Sequence, residues 1–255
     1  MQVFSPSRLE KFSVCPAAGY RRYVLELPEP ATEAQNIGKA AHAVIAQAVK
    51  ERRADPEFFE SLCSAVGAAC GVDPGELLRL TYHPEVLSCA ALALEKDVRV
   101  EEHFQVLLDP DDPFGPELQG YIDFWAHNGE EVLLVDWKSG YKEYTPLEKY
   151  QLGLYAWRLH QKTGKPVRGR LVFLRGNVFE HVYTPEDGIE DARRWALGVV
   201  AFVAAGAFAE AWNRFTALPR MGAGRALGVL FLLACPAYAG GLALAGLEAR
   251  RGGAV

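Results

Sequence analysis

The chain has 255 residues, half of them hydrophobic and 11% aromatic, which is enough for a buried core and excludes a globally disordered protein. Its formal net charge is −5, which argues against a protein that coats nucleic acid by phosphate neutralisation alone. That balance leaves open an enzyme that meets phosphates with bound metal ions and a local basic rim.

In chain order, Ser5-Pro6 opens a short helix, with Ser at the N-cap, Pro at the first helical position and Leu9 and Phe12 as its apolar stripe. A Pro- and Glu-rich link covers Leu27 to Glu33. Gly38 to Arg53 then carries Ala41, Val44, Ile45, Ala48 and Val49 at helical spacing. Residues 56–98 read as helix in pieces, broken at Asp73-Pro74-Gly75 and around His83-Pro84. Val98 to Leu108 alternates as a strand, and Asp109 to Pro113 is a loop. Leu118 to Ala126 and Glu131 to Trp137 are two further strands, joined across His127-Asn128-Gly129 by a tight turn. Pro146 to His160 is a helix, Gly169 to Leu174 and Val178 to Tyr183 are strands, and Pro185 to about Trp212 is a long helix. This order predicts an α/β fold with a mixed sheet behind a helical N-terminal layer, residues 1–98.

From Thr216 the texture changes. Ala226 to Leu247 carries no charge and is long enough for a membrane span, flanked by Arg225, Arg250 and Arg251. Pro236 and Gly240-Gly241 interrupt it, so a buried or poorly ordered segment is the preferred reading and a membrane anchor the rival one. Met1 to Pro6 shows no basic segment followed by an apolar run, so no cleaved leader is expected and the protein reads as cytoplasmic. Five cysteines, at 15, 63, 70, 89 and 235, are odd in number and form no Cys-x-x-Cys pair, so no disulfide framework or zinc knuckle is signalled.

The chemistry concentrates in Gly120-Tyr121-Ile122-Asp123 and in Val135-Asp136-Trp137-Lys138-Ser139-Gly140. Residues two apart on a strand share a face, so Asp136 and Lys138 project together, and Asp123 on the neighbouring strand can reach the same place. Two carboxylates beside one ammonium suit a hard divalent cation such as Mg²⁺ or Mn²⁺, with the lysine orienting water and steadying phosphate charge. The alternative for an isolated Asp-x-Lys is an exposed ion pair worth under about 1 kcal/mol. The apolar run Val132 to Val135 weighs against it by making the strand a central one. His42 shares a helix face with Ile45 and Val49, and both a core histidine and a metal ligand fit that position. Gln151 and Tyr155, one helical turn apart, face the same way, either toward a ligand or into ordinary packing.

Together these pieces resemble the RecB-like branch of the PD-(D/E)XK nucleases, which includes the AddB nuclease domain and the CRISPR-associated adaptation exonucleases. The resemblance rests on six elements in order: Ser5-Pro6-Ser7-Arg8-Leu9, Cys15-Pro16, Gly38-Lys39-Ala40-Ala41-His42, Gly120-Tyr121-Ile122-Asp123, Asp136-Trp137-Lys138-Ser139-Gly140 and Gln151-Leu152-Gly153-Leu154-Tyr155. It implies a restriction-endonuclease-like core, with a central mixed sheet flanked by helices. It implies His42, Asp123, Asp136 and the Trp137 carbonyl as ligands of Mg²⁺ or Mn²⁺, Lys138 as the catalytic lysine, and Gln151 and Tyr155 facing nucleic acid. Many relatives also carry a [4Fe–4S] cluster on one early and three late cysteines. Only Cys15 and Cys235 fit that pattern here, so no cluster is expected.

The reading is therefore a nuclease domain over residues 1–215, with the catalytic α/β core at 99–215 and an atypical tail at 216–255. Its expected activity is metal-dependent, exonucleolytic hydrolysis of DNA in repair, recombination or CRISPR adaptation. No Gly-x-x-x-x-Gly-Lys-Ser/Thr loop occurs, so a helicase would be a separate partner, as would CRISPR adaptation proteins. The rival classes are a catalytically weak nucleic-acid-binding subunit of a helicase-nuclease complex, a membrane-anchored protein, and another metal hydrolase.

Overall fold

Helix α1 (Pro6–Val14) starts where the sequence places it: Ser5 is extended, its hydroxyl accepts the Arg8 N–H, and Leu9 and Phe12 are buried. In the computed structural model residues 3–217 are described, with the backbone alone for 207–217. A helix not foreseen, α2 (Pro16–Tyr23), follows at once, with Pro16 at its first position. Helix α3 (Glu33–Glu51) begins five residues before the expected Gly38. Thr32 and Gln35 explain this, because they form a capping box that satisfies two backbone N–H groups reciprocally. Helices α4 (Pro56–Cys70), α5 (Pro74–Thr81) and α6 (Pro84–Glu95) break at the two expected places. Each is opened by a side chain that accepts a backbone N–H, from Asp55, Asp73 and His83, with Pro next.

The described residues form six strands, the first of them unforeseen: β1 (Val3–Phe4), β2 (Val98–Leu107), β3 (Glu117–Asn128), β4 (Glu131–Lys138), β5 (Val167–Phe173) and β6 (Val178–Tyr183). The sheet order is β1-β3-β4-β5-β6, with β2 on the far edge of β3. β2, β3 and β4 form the antiparallel meander, and β5 and β6 are antiparallel. β4 pairs with β5 in parallel through the crossover helix α7 (Tyr150–Thr163), and β1 pairs with β3 in parallel. This is the expected α/β, restriction-endonuclease-like architecture, a mixed sheet with helices against it. The β3–β4 turn is tighter than expected: Asn128 still pairs with Glu131, and Gly129 takes the first central position at φ 67°, where a side chain would be strained.

Two helix starts move inward. α7 begins at Tyr150 rather than Pro146, because Thr145 and Glu148 close a turn on each other first. α8 (Ile189–Ala217) begins after a turn in which Asp187 and Thr184 exchange backbone hydrogen bonds.

The main core lies between the sheet and helices α3 to α6. Val44, Ile45, Phe59, Leu77, Leu80 and Val86 meet Phe124, Ala126, Val135 and Trp137 there. By strand alternation Leu134 and Asp136 turn to the opposite face, where α7 lies. By contact the chain divides into Met1–Val199, which holds all of this, and Val200–Val255, of which residues 200–217 are described and helical. Residues 218–255, with Cys235 and the uncharged stretch 226–247, lie outside the described residues.

Candidate metal centre and active site

The site originates in a split in the sheet. β3 pairs with β2 along one edge from Glu117 to Ala126, with a gap at Asp123, while its other edge is taken by β1 at Leu118 and by β4 from Phe124 onward. Beyond the Phe124–Val135 pair, β4 leaves β3 and continues beside β5 alone, Asp136 against Leu171 and Lys138 against Phe173. Asp123 and Asp136 sit where the strands part, both buried, at 7% and 2% exposure. The Trp137 N–H donates across the gap to Asp123 Oδ2 at 2.9 Å, which locks the two strand ends together.

His42 arrives from α3. Its Nε2 bonds the Trp137 carbonyl at 3.0 Å, so that nitrogen carries the proton and Nδ1 turns to the carboxylates. Nδ1 lies 3.4 Å from Asp123 Oδ1 and 3.8 Å from Glu101 Oε1. Partial burial lowers the His42 pKa, but the Asp123 charge more than offsets it and the pKa rises to about 10. Donor atoms of His42, Glu101 and Asp123 all lie within 4.8 Å of one another. Two carboxylate oxygens and an imidazole nitrogen so disposed fit a divalent ion of the Mg²⁺–Mn²⁺ type.

Glu101 was not singled out by sequence reasoning. Val100 pairs with Phe124 and Glu102 with Ile122 in one unbroken register, yet Glu101 and Asp123 between them form no ladder pair. Glu101 adopts φ 51°, a costly conformation for a residue with a side chain. The backbone is distorted where its carboxylate turns toward His42. The Glu101-Glu102 doublet was visible in the sequence, but the connection between β2 and β3, residues 108–116, is too long to fix the register.

A second set of contacts adjoins the first. Lys138 Nζ lies 2.6 Å from Asp136 Oδ2 and donates to Gln151 Oε1 at 3.2 Å. Gln151 Nε2 reaches Asp136 Oδ1 at 3.4 Å and the Tyr155 hydroxyl at 3.1 Å. Burial pushes the Asp136 carboxyl up, Lys138 opposes it, and the charge of Asp123 adds to the rise. Burial works against the Lys138 ammonium, but Asp136 outweighs it and keeps the lysine charged. Tyr144, also unforeseen, lines this corner, and burial drives its hydroxyl to about 12.

The geometry therefore joins His42, Asp123 and the Trp137 backbone in one set, and Asp136, Lys138, Gln151 and Tyr155 in the other. In this structure the Trp137 carbonyl, expected to ligate metal, is engaged by His42, and Asp136 is engaged by Lys138 and Gln151. Glu101 completes the three-residue cluster instead. Of the described cysteines, Cys15 is exposed beside α2, whereas Cys63 and Cys89 are buried in the helical core.

No curated protein matches the chain. Among solved structures it is similar to a candidate exonuclease from Eubacterium rectale, with a TM-score of 0.49, 9% identity and 80% of each chain covered. A family model described as the PD-(D/E)XK nuclease superfamily matches residues 3–215. With that match running through every element of the site, the chain belongs to the PD-(D/E)XK nuclease superfamily.

Proposed function

We propose that this nuclease is a divalent-metal-dependent deoxyribonuclease of the RecB-like branch that degrades DNA from an end. The observation that carries the reading is the convergence of His42, Glu101 and Asp123 on one point beside the Asp136–Lys138 pair. His42 Nδ1, Asp123 and Glu101 would hold the ion, with Asp136 turning to it from the adjacent strand end. Bound there, the ion supplies Lewis-acid polarisation of the phosphodiester.

The protein's own groups supply the rest. Lys138 is an ammonium with donors and no acceptor, suited to orienting water and offsetting charge that grows on the phosphate. Asp136 and Gln151 hold that ammonium in place. Gln151 and Tyr155 present an amide and a phenol of one helix face to the same corner, and we assign them to the substrate. The Trp137 carbonyl fixes the His42 tautomer, which keeps Nδ1 toward the cluster. Because one donor is an imidazole, Mn²⁺ should support higher activity than Mg²⁺. The wider setting we propose is DNA repair, recombination or CRISPR adaptation, with any helicase on a separate chain.

End-labelled linear DNA and covalently closed circles of the same sequence test this directly. Incubation with Mn²⁺ should shorten the linear strands from an end, leave the circles intact, and stop on chelation. Nicking of the circles at a similar rate would refute the exonuclease assignment, and cleavage in chelator would refute the metal.

A further inference from the structure

One face of α3 is left uncovered. While Ile37, Ala40, Ala41, Val44, Ile45, Ala48 and Val49 fill the core, Lys39, Ala43, Gln47 and Lys50 are exposed on the face that also carries His42. The small side chains of Ala43 and Ala46 form the floor of an open groove of about 640 Å³, with Glu101 on its wall. Lys39 and Lys50 stand three helical turns apart, about 16 Å by the rise of an α-helix. Among the described residues neither has an ion-pair partner, whereas Lys11, Lys149 and Lys162 are each paired with a glutamate. In a chain of net charge −5, two unpaired cations on the helix that supplies His42 form a local basic track.

We propose that this groove is the path of the substrate strand beyond the scissile phosphate, with Lys39 and Lys50 meeting backbone phosphates and Ala43 and Ala46 allowing close approach. The inference rests on the nuclease reading and adds binding residues to it. The occupant is a polynucleotide strand because the groove sets two lysines beside small side chains that let a backbone approach, and because His42 and Glu101 line it too. A strand lying there has one phosphate at the cluster and further phosphates along the helix. Glu101 is the groove's only lining carboxylate among the described residues, and it faces the cluster rather than the lysines.

The test is binding of a labelled oligodeoxynucleotide to the full chain by fluorescence anisotropy over a salt series, without divalent metal. Lys39→Gln combined with Lys50→Gln should weaken binding about tenfold and lower the slope of log affinity against log salt by about 1.4, or 0.7 per lost phosphate contact. Ala43→Leu, which raises the floor and removes no charge, should weaken binding while keeping the slope. Arg194→Gln, a cation lost from the exposed face of α8, is the charge control and should leave both unchanged. An unchanged slope in the double variant, or an equal loss in the Arg194 control, would overturn the groove assignment. Cleavage by the wild-type protein with Mn²⁺ is scored separately. A chain that binds through these lysines but never cleaves refutes the nuclease reading alone, and one that cleaves with an unchanged slope refutes this groove alone.

Discussion

His42 serves two partners at once: its Nε2–H is held by the Trp137 carbonyl, and its Nδ1 sits between two carboxylates. Without metal that nitrogen carries a proton, since its pKa is raised to about 10. A metal ion must displace this proton, so binding at pH 7 should release about one proton per ion. Calorimetry in buffers of different ionisation heat would measure it, and metal binding with no proton release would show that His42 is not a ligand. The folded pKa lies above the ordinary 6.5, so in the metal-free protein the His42–Asp123 contact adds stability in full below about pH 6.5. That contribution is lost as the pH rises through about 10. Glu101→Gln should reduce Mn²⁺ affinity by about tenfold and remove the reason for the strained backbone at this position. Lys138→Met should reduce turnover by about a hundredfold or more while Mn²⁺ still binds, because the task we propose for it concerns phosphate charge rather than coordination. Loss of metal affinity in that variant would mark the Asp136–Lys138 contact as a structural ion pair instead.

At the level of elements, the site depends on β4 parting from β3 just after Val135. The tight turn at Gly129 sets the register that brings Asp123 and Asp136 to that fork. Gly129→Val would force a branched side chain into positive φ and should cost about 1–2 kcal/mol, read as a lower melting temperature. Much of this level was legible in the sequence. Apolar patterning located β2 to β6, Ser5-Pro6 located the start of α1, and the breaks at Asp73-Pro74-Gly75 and around His83-Pro84 separated α4 to α6. The same-face spacing of Asp136 with Lys138, and of Gln151 with Tyr155, appears as direct contact. Elements whose evidence is cooperative were not legible. β1 is two residues long and exists only because β3 receives it, and the start of α3 depends on a reciprocal cap outside the apolar stripe. Glu101 was hidden for a related reason, since its role follows from cross-strand register and a local distortion rather than from residue type. Gly38 belongs to the legible set: a Cβ there would stand 3.0 Å from Ser139 Oγ, so the glycine lets α3 pass close to the end of β4.

For the whole molecule, acidic composition and nuclease family membership are reconciled locally. Among the described residues many cations are paired with carboxylates, as in Arg168 and Arg170 with Glu131, Glu85 and Glu180. Lys39 and Lys50 have no ion-pair partner among the described residues, and both line the groove beside the cluster. Among the described residues no helix is long and apolar enough to cross a membrane. Because Cys63 and Cys89 are buried in the helical core, the described chain offers Cys15 and Cys70 as exposed thiols, with Cys235 beyond it. Fewer than four suitably placed thiolates predict that anaerobically purified protein is colourless and carries no stoichiometric iron. A brown preparation with about four irons per chain would show that other ligands are recruited.

The central claim is that buried carboxylates at the fork between β3 and β4 hold the metal that drives phosphodiester hydrolysis. It is tested most directly by Mn²⁺-dependent cleavage of labelled DNA by the wild-type chain beside folded Asp123→Ala and Asp136→Ala variants. The expected result is cleavage by the wild type that stops on chelation, and loss of about a hundredfold or more in each variant with the circular dichroism spectrum retained. Near-wild-type cleavage by either folded variant would contradict the account.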